Sequence, residues 1–465
     1  MPLSGPIETP TVADPPGAFI PAYPVPHATC PSIPALILGA RRDLLSIWWE
    51  RAYRNDTMSV RMLARQIFIC NSPESVKHVM VTNNDNFERK SPQMRRALEF
   101  LLGDGLFISD GETWTTRRRF VAPIVHRQQL SRFVPVMVNA ALERAEQWAE
   151  TDTERDILLE MAALTAEIIA RAVFGSSLGS NQAAEVIGGF SDYQRHIDQF
   201  NLPFFLGADE GWPPFKGPRI RRATRRVRDV VESVVDAHRD GRGDRDSMIA
   251  MMFDRRDEVT GEHLSRDAII NEAATIFMAG HETTANTLAW AWYALSQAPW
   301  AEAALHEELD RVLDGRAPTI EDVPRLPYTR AIIEETLRLY PPVPILSRQA
   351  RDADRICGHP VEAGALVMVV PWLLHRHEKH WDRPHHFIPE RFIENETPGF
   401  CYIPFATGPR ICAGASFGLT EAVLCLAVLA QRFRLILRPG HKVQPRCRLT
   451  LRPLGGLPMT AAPRS

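Results

Sequence analysis

Phe405-Ala-Thr-Gly-Pro-Arg-Ile-Cys-Ala-Gly414 holds one cysteine, Cys412, two residues behind Arg410 in a setting of glycine, proline and small side chains. No second cysteine lies two or three places away, which excludes a zinc knuckle. No histidine or aspartate adjoins it to suggest a protease nucleophile. Directly after it, Ala413-Gly414-Ala-Ser-Phe-Gly-Leu-Thr-Glu-Ala-Val-Leu becomes strongly helical in pattern. Cys412 therefore stands at or near a helix N-terminus, where unpaired N–H groups and the dipole favour a thiolate. Ala413 and Gly414 leave room for a flat group against the backbone, and Arg410 can reach an anion carried by it. A buried structural cysteine explains Cys412 by itself but not this company.

Outward from the loop, the chain has 465 residues, 45% hydrophobic and 24% charged, with a formal net charge of -2. It is long enough to bury a large core and a sizeable ligand. The charge balance supplies no general field towards nucleic acid or an anionic membrane. Seven scattered cysteines without a CxxC pair argue against a disulfide framework and for a reducing cytoplasm. The longest apolar run free of glycine and proline, Ala422–Ala430, is nine residues, well short of the roughly 20 that a membrane helix needs. Residues 1–34 contain ten prolines and read as an extended leader. Residues 35–465 read as one large, mainly helical domain with small β-sheets. Apolar spacings of three and four mark helices at 131–150 and 156–175. β-like runs fall at 60–70, 365–374 and 434–439.

The longest helix expected runs from Ser265, its cap, to the stop at Pro299. At about 32 residues and 1.5 Å each it spans roughly 48 Å. In its middle lie Ala279-Gly280-His281-Glu282-Thr283-Thr284. Gly280 costs about 1 kcal/mol against alanine, and Thr283 can bond the Ala279 carbonyl and open the ladder. With nothing bulky at Ala279 or Gly280, the groove admits a flat ligand or a diatomic. A carboxylate beside a hydroxyl suits proton delivery, although a kinked core helix accounts for these residues equally well when taken alone.

Three further clusters join it. Glu335 and Arg338 share a helix face, and Arg391, in Phe387-Ile-Pro-Glu-Arg-Phe392, can bridge back to Glu335. Trp114 and Arg118, four apart in Gly111-Glu-Thr-Trp-Thr-Thr-Arg-Arg-Arg-Phe120, face one way and suit a carboxylate. Arg117 and Arg119 point elsewhere and, with Arg127, form either a solvated face or a docking patch for an acidic partner. Arg219, Arg222 and Arg226 line one face of a second basic stretch, read as solvated or as a membrane or partner contact. A lone thiolate under a planar ligand bearing carboxylates describes cysteine-ligated haem.

Phe405-x-x-Gly408-x-Arg410-x-Cys412-x-Gly414, with AGHETT, ETLR and FIPERF in that order, resembles the cytochrome P450 family of haem-thiolate monooxygenases, in its soluble bacterial type. The resemblance covers the chain from about residue 40. It implies haem b (iron protoporphyrin IX) with Cys412 as iron ligand and Phe405 beside the sulfur. It also implies that Trp114, Arg118, Arg410 and Arg348 bind the propionates, and that Glu282 and Thr283 deliver protons to dioxygen, the co-substrate. Glu335, Arg338 and Arg391 match the family's structural triad, and Phe107 and Val343 match pocket positions. Leu106, Phe107, Ala279, Val343 and Ile345 suggest an apolar small-molecule substrate. Only 53 residues follow Cys412, so electrons from NAD(P)H are expected through a separate ferredoxin or flavodoxin and its reductase, with the enzyme a monomer. A peroxygenase or isomerase of the same fold would not need the Glu282–Thr283 pair. A non-catalytic haem sensor would need an output domain, and none is visible.

Overall fold

In the computed structural model, the described residues are 19–464 apart from 152, 176–179, 197–201, 208–216 and 395–397. The first half of the leader thus lies outside them. From Phe19 onward the segment runs extended over the body. Phe19 meets the rings of Tyr293, Trp300 and Phe387, and the Tyr340 hydroxyl donates to the Ala22 carbonyl at 2.7 Å.

The central helix, Arg266–Gln297, has 32 residues; the Ser265 hydroxyl accepts the Ala268 N–H at its start. Pro299 does not merely stop it but begins the next helix, Pro299–Leu313, because proline's missing N–H costs nothing in a first turn. Most of the central helix is buried, including Trp290, whose ring stacks on Tyr340 at 3.9 Å. Around it pack helices Ile157–Phe174, Pro218–Arg239, Pro327–Leu339 and Ala415–Ala430, with Leu130–Ala149 packed in turn on Ile157–Phe174 and on Ala415–Ala430. The last is nearly all apolar and carries Val423 to Ala430 in the core. Such all-round burial is what an unpatterned hydrophobic helix requires.

The main sheet has strands β1 (Thr57–Met62), β2 (Arg65–Cys70), β3 (Leu346–Gln349) and β4 (Leu366–Val369), in the order β1-β2-β4-β3. The run 60–70 forms most of a hairpin, turned at Leu63 with φ of 54°. The run 365–374 is strand only as far as Val369. Pro371 starts a short helix, Pro371–Leu374, because its ring fixes a helical φ and removes the N–H a continuing ladder needs.

On the far side of the core, the Arg338 guanidinium donates to Glu335 at 2.7 and 2.8 Å. It also donates to the carbonyls of His375, Pro384 and His386 at 2.7–2.9 Å. Arg391 reaches Glu335 at 3.3 Å, and the Ile388 N–H donates to the same carboxylate at 2.8 Å. Glu335 and Arg338 are wholly buried, so each relies on the other for solvation lost on folding. Glu335→Ala, which strands Arg338, is expected to cost about 3–5 kcal/mol of stability. Replacing both with leucine and methionine should cost less, as measured by denaturant unfolding of the two variants.

Candidate haem-binding site

The Phe405–Gly414 loop is held by its own backbone. Cys412 N–H donates to the Phe405 carbonyl at 2.9 Å, and Ile411 N–H to Gly408 at 3.0 Å. Gly408 has φ of 72°, and a Cβ there would lie 1.9 Å from the Met80 carbonyl oxygen. Only glycine fits. At Gly414 a Cβ would meet nothing within 4 Å, so the backbone faces open space. The sulfur of Cys412 faces a cavity of about 290 Å³ lined also by Gly280, Thr283, Phe405 and Val343. The exposure of the cysteine is to this cavity, and dense protein surrounds it on its other sides. Burial pushes the thiol up from its ordinary value, while the Gly414 N–H, Arg118 and Lys90 pull it down. Such cations favour the thiolate once a metal takes the sulfur.

Lys90, Arg118, Arg348 and Arg410 all line this cavity. Arg348 is 1% exposed, and its Nε has no hydrogen-bond partner. Burial and the neighbouring Arg410 hold its pKa down at about 9. Arg410 Nε and Nη2 are also buried without hydrogen-bond partners, and the nearest carboxylate is Glu88 at 3.8 Å. Its Nη1 donates to Ser109 at 2.8 Å, and its guanidinium lies 4.4 Å over the Trp114 ring. Arg118 donates to the Ile411 carbonyl at 2.7 Å. Four like charges around one void are stable only if anionic groups enter it. A flat ligand carrying two carboxylates, resting against Gly414 with its metal at Cys412, fits these residues.

On the opposite wall, the Thr283 hydroxyl donates to the Ala279 carbonyl at 2.6 Å, the back-bond expected there, while the central helix itself runs unbroken from Arg266 to Gln297. Glu282 accepts from the Thr450 hydroxyl at 2.6 Å, and both residues line the cavity. His281 faces the other way, against Phe190 and Phe277.

Two of the arginine readings need correction. Arg117 is buried and bonds Asp104 at 2.9 and 3.0 Å, with Glu272 at 3.5 Å, because its helix, Gly111–Ile124, turns that side inward. Arg119 bonds Asp257 at 2.7 Å. Neither is part of a free docking patch, and only Arg127 of the three is exposed. Likewise Arg226 ties its helix to Glu185 and Asp192 at 2.7 and 3.0 Å, while Arg219 and Arg222 are exposed.

Four residues escaped the sequence reading. Lys90 joins the cation cluster from a segment with no periodic signal. His375 accepts the Ile403 N–H at 2.9 Å beside Arg338, linking the buried ion pair to the cysteine loop. Burial and Arg338 hold its pKa down at about 3, so it stays neutral and can accept. Glu421 lines the cavity from inside the most apolar helix, with both oxygens buried and without hydrogen-bond partners. A single acid in that run was the available signal. Glu272, also buried, accepts the Leu106 N–H at 2.9 and 3.2 Å and so fixes the Leu106–Phe107 wall.

A thiol facing a void, ringed by cations and opposed by the Ala279–Gly280 stretch of the central helix, is the arrangement of a haem-thiolate protein. The family model "Cytochrome P450" matches residues 36–457, and the chain belongs to that family: it is an oxidoreductase, a monooxygenase, in a family that holds haem and uses dioxygen. It is 34% identical to cyclooctatin synthase of Streptomyces melanosporofaciens over 92% of this chain and 93% of that one. It is 30% identical to cyclooctat-9-en-7-ol 5-monooxygenase of the same organism, over 88% of each. Pentalenene oxygenase of Streptomyces avermitilis is 29% identical over 84% of this chain and 86% of its own length. Among solved structures, the cytochrome P450DA heme domain matches with a TM-score of 0.77 and 25% identity, over 88% of this chain and 90% of that one. No described helix is long and apolar enough to cross a membrane.

Burial pushes the Glu272 carboxyl up to about 8 against an ordinary 4.5, with Arg117 and the Leu106 N–H opposing. Between these values the folded chain binds the extra proton, so the contribution of Glu272 to stability falls as pH rises through the window. Glu272→Gln should therefore lose less thermal stability than the parent between about pH 6 and 8. A parallel loss in both proteins would assign the pH dependence elsewhere.

Proposed function

We propose that Cys412 would ligate the iron of a haem b whose propionates Arg118, Arg348, Arg410 and Lys90 would hold, with Trp114 stacked behind Arg410. The observation that carries this reading is the convergence of one thiol and four cations on a single cavity. Haem, when bound, supplies the activation of dioxygen and the insertion of one oxygen atom into substrate by hydroxylation or epoxidation. The chain's own residues do the rest. The Gly414 N–H and the cationic wall oppose the burial that raises the thiol and would favour its anion once iron is bound, and Phe405 covers it. The Ala279 carbonyl, already bonded to Thr283, leaves a groove in which a small oxygen ligand has room. Thr283 is placed to donate a proton into that groove, and Glu282, on the same wall, to replace it from the Thr450 side. Glu335, Arg338 and Arg391 hold the cysteine loop in place through His375.

The substrate is an apolar small molecule of isoprenoid type. Leu106, Phe107, Ala279, Val343 and Ile345 supply an apolar lining. A second, largely apolar cavity of about 410 Å³ borders the first at Met94, Ile345 and Leu449, which suits a long or polycyclic hydrocarbon. Relatives named for pentalenene and for cyclooctat-9-en-7-ol support the same class. Electrons come from NAD(P)H through a ferredoxin or flavodoxin and its reductase, for which exposed Arg127 offers part of a docking face. Free cysteines throughout the described chain agree with a monomer working in a reducing cytoplasm.

Reduced protein under carbon monoxide should give the absorption band of a thiolate-ligated haem, and Cys412→Ser should abolish it. A band that survives in Cys412→Ser removes the assignment. Thr283→Ala should keep that band yet lower product formed per NAD(P)H by roughly tenfold or more while oxygen consumption continues. Unchanged coupling in Thr283→Ala would dismiss its role in proton delivery.

A further inference from the structure

On a part of the chain that takes no part in lining either cavity, Asp56, His377 and His380 bring a carboxylate and two imidazoles together, with their ligand atoms within 4.8 Å of one another. Asp56 stands just before β1. His377 and His380 belong to the turn after helix Pro371–Leu374, in which His380 N–H donates to the His377 carbonyl at 3.0 Å. His377 is wholly buried, and the Nε2 atoms of both histidines are shielded without a hydrogen-bond partner. The nearest charge to His377 Nε2 is Asp56 Oδ1, at 3.6 Å. A buried imidazole nitrogen without a hydrogen-bond partner, 3.6 Å from a carboxylate and beside a second such imidazole, is an uncompensated cost in a neutral site. A cation between them would remove it.

Such a cation is already imitated. The Lys379 ammonium sits on Asp56 at 2.8 and 2.9 Å, although the lysine side chain is 57% exposed. The Lys379 backbone N–H also lies 3.3 Å from His377 Nδ1. The ammonium competes with a metal for Asp56 and leaves it when the side chain swings outward; the backbone contact must lengthen separately, so that Nδ1 carries the proton and Nε2 is free for the metal.

We propose that Asp56, His377 and His380 form a transition-metal site of the zinc class, in which the ion exchanges with Lys379. Two imidazoles, one carboxylate and a water make a four-coordinate set suited to Zn²⁺. Donor atoms in a tetrahedral zinc site lie roughly 3.4 Å apart at bond lengths near 2.1 Å, so the present spread must close by little more than an ångström. Asp56 is an exposed residue and His380 a half-buried one, and both can make that movement. The bound ion would clamp the first hairpin to the segment that leads into Phe387–Phe392. That joint is now held by Glu378 N–H on the Tyr53 carbonyl and by Arg54 on Glu378.

The test uses untagged holoprotein, stripped with a chelator and titrated with Zn²⁺ against a chromophoric indicator. Wild type should take up one ion at this site and gain thermal stability with added zinc. His380→Ala and Asp56→Ala should each bind about tenfold more weakly or worse, whereas Lys379→Ala should bind about tenfold more tightly. The carbon monoxide spectrum should be the same in all four proteins, which keeps loss of the site distinct from loss of the fold. Exposed Cys30 and Cys357 can also collect zinc. Uptake unchanged in His380→Ala would thus assign the metal to them and overturn the site, as would no uptake by wild type.

Discussion

The Arg338 guanidinium is the hub on which the cysteine side of the molecule depends. It is fully buried, and its bonds reach Glu335 and three carbonyls across the segment 375–386. A charge so placed cannot tolerate displacement of any one partner, because no water stands ready to replace it. The segment is therefore fixed as a unit. Through His375 and the Ile403 N–H, that rigidity passes to the loop carrying Cys412. The loop in turn has one conformation open to it, since Gly408 lies against the Met80 carbonyl and cannot carry a side chain.

Electrostatic demand on the other side of the cavity is of the opposite kind. There the chain leaves its charges unsatisfied. Arg348 and Arg410 present buried nitrogens without hydrogen-bond partners beside Lys90 and Arg118. One cluster of buried charge is closed by the protein itself and orders the scaffold. The other is left for a ligand to close. A cavity so divided would suit a flat group with carboxylates at one edge and a metal at its centre, as proposed above. Similar logic at smaller scale applies to Asp56, where Lys379 fills the place of a cation near two unpartnered imidazole nitrogens.

The central helix reconciles burial with chemistry. Its length demands an apolar environment, yet Glu282 and Thr283 sit at the one stretch where Gly280 and Ala279 keep the neighbouring surface low. Thr283 satisfies itself on the Ala279 carbonyl where the helix meets the cavity. Glu272, nearer the start of the same helix, serves the structure instead. Burial pushes its carboxyl up, and it holds the loop of Leu106. Acids on one helix are thus given different roles by their surroundings alone.

Spacing and local chemistry were enough to read the central helix, its cap and the back-bond of Thr283, because each depends on residues within four places of one another. The Phe405–Gly414 loop was legible for the same reason: glycine, proline and a helix start are local signals. What the chain could not declare in one dimension was which side of a helix meets which neighbour. Arg119 looked solvated until Asp257 was brought to it across 138 residues, and Arg117, bonded to nearby Asp104, was buried against Glu272 by the same packing. Lys90, His375 and Glu421 carry no periodic mark, and their roles follow only from where burial leaves a polar atom. Local sequence determined the elements and the thiol; tertiary packing decided the charge pairing, because desolvation depends on everything that closes around a group and not on its neighbours in the chain.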